Sequence, residues 1–134
     1  MNDVYLIEFK SHGSHEDGFL TAIEEFTGLP FAIQRVYTVT NTKNDNVRGF
    51  HAQRQLEQVF FAVHGCIDVM VEDQDGNQEF YTLNKPNVGL YCGPKIWHTL
   101  KYHDEAALMV LASQVYNEAD YIRNYDDFKN YRGK

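Results

Sequence analysis

Up to residue 112 the apolar residues come in short runs, many alternating with polar ones, and turn-forming residues interrupt them at the spacing of an all-β sandwich or barrel. The pattern predicts strands over 4–9, 20–24 and 33–40, the last rich in β-branched and aromatic residues and carrying Arg35 and Tyr37 on one face. A polar loop over 42–46 precedes strands over 47–53 and 58–64. Residues 66–72 and 78–83 read as a hairpin around Asp73-Gln74-Asp75-Gly76-Asn77, the strongest local turn signal in the chain. Further strands are predicted over 88–92, 98–102 and 107–112, separated by Gly93-Pro94 and by an acidic turn at His103-Asp104-Glu105. Beyond Ser113 aromatic and aliphatic residues recur every three or four positions in 118–122 and 125–131, which predicts a short C-terminal helix or two. The expected fold is all-β: a jelly-roll β-barrel with a short C-terminal helical segment and a frayed end at 132–134.

The 134 residues, 43% hydrophobic and 14% aromatic, suit one core, so 1–134 is expected to be a single domain. A formal net charge of −7 argues against non-specific binding to nucleic acid, which needs a basic surface. No apolar stretch approaches bilayer length, so no membrane partner is expected. Cys66 and Cys92 lack a CxxC spacing, and Met1-Asn2-Asp3-Val4 does not open a signal peptide. These features predict a cytoplasmic protein whose two thiols are core residues rather than nucleophiles.

Candidate chemistry concentrates in Arg48-Gly49-Phe50-His51-Ala52-Gln53, followed by Glu57 and Gly65 and answered by Gly93-Pro94-Lys95-Ile96-Trp97-His98. The arrangement resembles a cupin pocket without its metal. On a barrel strand, alternation turns His51 and Gln53 toward one cavity and Ala52 outward. His51, Glu57 and His98 stand where a cupin metal site has two histidines and a carboxylate, but Gln53 occupies the remaining histidine position. Neutral amides are poor ligands for transition metals, so no metal and no cofactor are expected. Arg35, Arg48 and Arg54 flank the stretch and offer positive charge in an otherwise acidic chain.

A more specific resemblance spans nearly the whole chain. Ile23-Glu24-Glu25, the run from Leu29 through Tyr37, Arg48-Gly49-Phe50-His51-Ala52, Leu56-Glu57-Gln58-Val59, Gly89-Leu90-Tyr91, Trp97-His98 and Asp120-Tyr121-Ile122-Arg123-Asn124-Tyr125 resemble the metal-independent cupins that act as 3,4-ketoisomerases on dTDP-4-keto-6-deoxyglucose. The resemblance implies that His51 is the active-site base, that Tyr37 assists it, and that the protein is a homodimer exchanging N-terminal strands. It also implies a product destined for a 3-amino-3,6-dideoxy sugar. Two positions depart from the family pattern: Gln53 replaces a second histidine, and Asp17-Gly18 stands where the family often has an arginine near the glycine. Both are expected near the sugar.

The implied reaction suits these residues. A 4-keto sugar has an acidic hydrogen at C3, and an imidazole titrating at about 6.5 can remove it and return a proton at C4. Donors beside the two oxygens would stabilise the enediolate between, a role open to Tyr37, Gln53 and His98. For a dTDP-linked 4-keto-6-deoxy sugar, Arg35 and Arg48 are candidates for binding, Arg48 for phosphate, with Tyr91 and Trp97 as candidate walls for the base. Three alternatives stay open at this point: a sugar-nucleotide 3- or 3,5-epimerase, a metal-dependent cupin oxygenase using His51, Glu57 and His98, and a non-catalytic sugar-binding module.

Overall fold

The structure, a computed structural model, describes residues 1–25 and 27–133. Its strands, in chain order, are β1 (Val4–Glu8), β2 (Ser11–Ser14), β3 (Gly18–Thr21), β4 (Arg35–Val39), β5 (Val47–Gln53), β6 (Gln58–Glu72), β7 (Gln78–Leu83), β8 (Val88–Cys92), β9 (Trp97–Ala112) and β10 (Tyr121–Ile122). A helix α1 (Tyr125–Asn130) follows. Eight strands join in one curled antiparallel sheet in the order β1-β8-β6-β9-β5-β10, with β4 also paired to β9 and β7 to β6. Strands β2 and β3 form a separate two-stranded hairpin. The jelly-roll expectation is met by this half-barrel.

Its centre is the long pairing of β6 with β9, where sequence reading expected four shorter strands. The breaks foreseen at Gly65 and at His103-Asp104-Glu105 are bulges inside continuous strands, not turns. Gly65 has φ +73° and a Cβ there would lie 2.7 Å from the Ala106 Cα, while Asp104 and Glu105 opposite also take positive φ. A bulge shifts register by one residue, which exchanges the faces of a strand. Accordingly Phe60 and Ala62 face the interior before the bulge, and Ile67, Val69 and Val71 face it afterwards.

Other boundaries moved less. The strand expected at 20–24 starts earlier as β3 and pairs with β2, a strand the polar sequence Ser11-His12-Gly13-Ser14 did not announce. The β6–β7 turn is held by the Asp73 carboxylate, which accepts from the backbone N–H of Asp75 and of Asn77, both at 2.9 Å. The helix expected over 118–122 is instead a single 3₁₀ turn (Glu118–Asp120) leading into β10, because Tyr121 and Ile122 pair with Gln53 and Ala52 of β5.

Three apolar clusters hold the sheet. The interior one includes Phe60, Ile67, Leu90, Leu100, Tyr102 and Val110. A second lies on the opposite face of β8, β6 and β9, where Phe9, Leu29 and Phe31 cover Val59, Phe61 and Tyr91. The third packs Ala52, Trp97 and Ile122 beneath Phe128 of α1. Asn124 caps α1 by accepting from the Asp127 N–H at 3.0 Å, and the fully buried Phe128 contributes roughly 2–3 kcal/mol of apolar burial to docking it. Past the helix, Arg132 donates to the Lys129 and Tyr131 carbonyls, both within its own terminal segment; Lys134 lies outside the described residues. No helix among the described residues is long and apolar enough to cross a membrane.

Candidate active site

The open side of the half-barrel holds a cavity of about 390 Å³, and His51 and His98 stand on its wall. Their meeting follows from register: His51 on β5 is the Cα partner of His98 on β9. A second bulge arranges it. Gly49 has φ +99°, Phe50 has φ +60°, and the β5–β9 register shifts between Gly49 and His51. A Cβ on Gly49 would sit 2.8 Å from the His98 carbonyl oxygen, so glycine is required where the strand is re-aimed. The two imidazoles lie edge to face with centroids 4.5 Å apart, and the His51 ring also lies 5.0 Å from that of Tyr121.

The two histidines have different electrostatics. Burial, and next the neighbouring His51, holds His98 down to about 3, so it is neutral throughout the working range. Its Nδ1 meets the Ile96 carbonyl at 3.2 Å; the neutral ring therefore donates from Nδ1 and leaves Nε2 as an acceptor. His51 is lowered chiefly by burial. The Gly49 backbone opposes that shift, Arg123 adds to it, and Glu118 opposes it. His51 Nδ1 is a buried polar atom without a protein partner.

Strand β4 brings Arg35 and Tyr37 to the same cavity by simple alternation. Burial raises the Tyr37 phenol to about 12, with Tyr121 adding and Arg35 opposing, so it remains a hydrogen-bond donor at any working pH. The Arg35 guanidinium lies over the rings of Tyr37 and Tyr116, 5.1 and 5.7 Å from their centroids, and its Nε is buried without a partner. Arg48 lines the same cavity. Neither arginine is ion-paired among the described residues.

The structure therefore gathers Arg35, Tyr37, Arg48, His51 and His98 around one space, and sets four other candidates away from it. Trp97 is adjacent to His98 on a strand, so it must face the other way; it lies under α1, its ring centroid 5.6 Å from that of Phe128. Tyr91 faces the second cluster, stacks on Tyr5 at 4.7 Å and donates to Glu57 at 2.6 Å. Gln53 shares the interior side with His51 but is buried further along, accepting from Gln58 Nε2 at 3.2 Å, and does not line the cavity. Asp17 sits at the exposed turn of the β2–β3 hairpin, its N–H donating to Ser14 Oγ. Arg54, the third flanking arginine, is a clamp: its Nη1 donates to the Ala119 and Tyr121 carbonyls, both at 2.7 Å.

That clamp brings to the cavity three residues the sequence reading left out of the site: Tyr116, Tyr121 and Arg123. Buried Asp120 reinforces it by accepting from the N–H groups of Gln55 and Leu56 at 2.9 and 3.2 Å. The signal was present in the Asp120–Tyr125 motif, but helical spacing obscured its strand alternation, which turns Ile122 away from the cavity and its two neighbours toward it. Among the described residues no three His, Cys, Asp or Glu side chains are grouped to hold a metal ion. Glu57, the carboxylate of the cupin ligand pattern, is occupied by Tyr91.

Comparison with known proteins finds the chain similar to sugar-nucleotide enzymes. The family model described as FdtA, WxcM-like, C-terminal, matches residues 2–133. A TDP-4-oxo-6-deoxy-alpha-D-glucose-3,4-oxoisomerase of Aneurinibacillus thermoaerophilus is 48% identical over 118 residues, which are 87% of this chain and 84% of that protein. Among solved structures, a histidine-to-asparagine variant of the 3,4-ketoisomerase QdtA from Thermoanaerobacterium thermosaccharolyticum, in complex with TDP-4-keto-6-deoxyglucose, superposes with a TM-score of 0.91 at 37% identity, covering 97% of this chain and 94% of that one. The TDP-quinovose 3,4-ketoisomerase WlaRB of Campylobacter jejuni gives a TM-score of 0.90 at 36% identity, covering 98% and 100%.

Proposed function

The chain belongs to the FdtA family of WxcM-like C-terminal domains, and on that premise we propose that it is a 3,4-ketoisomerase acting on a TDP-linked 4-keto-6-deoxyhexose. The observation that carries this reading is the meeting, on one cavity wall, of the His51 imidazole with two arginines that no carboxylate pairs among the described residues. The first suits a proton transfer, the second a diphosphate.

In this reaction His51, neutral at pH 7, takes the C3 hydrogen as a proton and leaves an enediolate across C3 and C4. Returning a proton to C4 and moving the O3 proton to O4 completes the exchange, with no net oxidation or reduction. Tyr37, protonated in this range, donates to the oxygen that gains charge. Neutral His98 presents an acceptor Nε2 beside His51. Arg35 and Arg48 hold the diphosphate. Incubating purified protein with TDP-4-keto-6-deoxyglucose and no added metal is expected to give the 3-keto isomer by NMR. A product inverted at a ring carbon with the carbonyl unmoved would instead establish the epimerase reading.

The whole of 1–134 acts as one domain in this proposal, located in the cytoplasm, and the working form is a homodimer exchanging N-terminal strands. Supporting the exchange, the β2–β3 hairpin pairs with no other strand of the described chain and leaves Phe19 and Leu20 57% and 63% exposed. Swapping β1 would transfer its ladder with β8 to the partner without new chemistry. Sedimentation equilibrium is expected to return twice the 15.6 kDa chain mass; a single-chain mass would reject the dimer.

A further inference from the structure

On β10 the alternation that sends Ile122 into the third cluster turns Tyr121 and the following Arg123 toward the cavity. Arg123 stacks on Tyr121 with its guanidinium carbon 4.5 Å from the ring centroid, and forks onto Glu118 with Nε–Oε1 at 2.7 Å and Nη2–Oε2 at 2.9 Å. Tyr116 donates to the same carboxylate. Both charged side chains are 54% exposed, which places the pair on the solvent-facing rim. Across the rim stands Arg35, over the Tyr116 ring.

We propose that Arg123 is a third diphosphate-binding guanidinium of this site, held by Glu118 and handed to the ligand's phosphate oxygens when it binds. The proposal rests on the sugar-nucleotide reading of the cavity. A bidentate fork that fits a carboxylate also fits a phosphate. An exposed ion pair is weak enough to exchange partners, and a diphosphate already engaged by Arg35 and Arg48 brings more charge than one carboxylate. Stacking on Tyr121 keeps the guanidinium plane at the rim during the exchange. Glu118 competes with the ligand for the guanidinium in this scheme, so its loss frees Arg123 for phosphate.

Equilibrium titration with TDP and, separately, with thymidine tests it. Arg123→Gln is expected to weaken TDP binding by about 10–100-fold and leave thymidine binding unchanged. Glu118→Gln is expected to tighten TDP binding by about 2–5-fold. Wild-type protein that binds TDP, with an Arg123→Gln variant that binds it equally well, overturns the inference and leaves the ketoisomerase reading standing. Equal losses for TDP and thymidine would show that Arg123 only shapes the wall, and weaker or unchanged TDP binding in Glu118→Gln would reject the handover. Wild-type protein that fails to bind TDP overturns both readings.

Discussion

Replacing His51 by Asn is expected to lower ketoisomerase turnover by about 10³-fold while TDP affinity changes only a few-fold, since a positioned acid–base group supplies roughly 10²–10⁴ in rate. Asparagine keeps a polar side chain of similar reach but takes no proton. The affinity should survive because the arginines assigned to the diphosphate stand on other residues of the wall. In deuterated water the wild-type enzyme should exchange the carbon-bound hydrogens that the isomerisation moves, and the variant should not. Persistent exchange in the variant would assign the base elsewhere. The pH profile is a second readout. Burial lowers His51 below its ordinary 6.5, so kcat/KM should rise with pH through a value under 6.5 and then stay level, because Tyr37 does not ionise until about 12. A rising limb above 6.5 would contradict the burial that the geometry assigns to this ring.

How much of this was legible in the sequence depends on which period governed each residue. Strand alternation alone correctly put Arg35 with Tyr37 and turned Ala52 away from His51. The same rule forbids Trp97 and His98 from sharing a wall, and naming both as ligand contacts set motif adjacency above the pleat. Tyr91 lies on the opposite face of β8 for the same reason, since Leu90 beside it belongs to the interior cluster. The bulges were harder. Gly49 and Gly65 were visible as glycines, but whether a glycine marks a turn or an inserted residue depends on the strand opposite, and a linear pattern does not show it. At 118–122 a five-residue stretch satisfies helical and extended spacing alike; pairing with β5 and the Arg54 clamp settle it as a strand after one 3₁₀ turn.

These two bulges also explain why the cavity and the framework separate cleanly. The Gly65 bulge exchanges the faces of β6, so one strand contributes interior side chains at both ends of a curved sheet. The Gly49 bulge turns His51 toward His98 at the open side. Curvature is thus built by backbone geometry, and the side chains on the cavity wall are left for chemistry. The C-terminal segment then closes that wall through polar contacts from Arg54 and Asp120 together with the packing of Ile122 and Phe128.

His98 is expected to make the fold acid-sensitive: between pH 6.5 and about 4.5 the wild-type protein should lose about 2 kcal/mol of folding stability that a His98→Gln variant does not lose, the slope steepening toward about 1.4 kcal/mol per pH unit. The folded ring stays neutral down to about 3 because burial, and then His51, disfavour its charged form, with the Ile96 carbonyl opposing. An unfolded imidazole accepts its proton at about 6.5. Between those values the unfolded chain binds the extra proton, so stability is complete above the unfolded value and drains away as pH falls toward the folded one. His51, also lowered, pulls in the same direction but is present in both proteins and cancels in the comparison. Glutamine has an amide that can donate to the Ile96 carbonyl and no group that titrates here. Urea unfolding of both proteins at pH 7 and pH 4.5 reads the difference directly. A variant less stable at pH 7 still serves, because the informative quantity is each protein's own loss on acidification. Equal losses in the two proteins would mean that His98 is not held neutral, and the acceptor nitrogen placed beside His51 would then carry a proton in the acidic range.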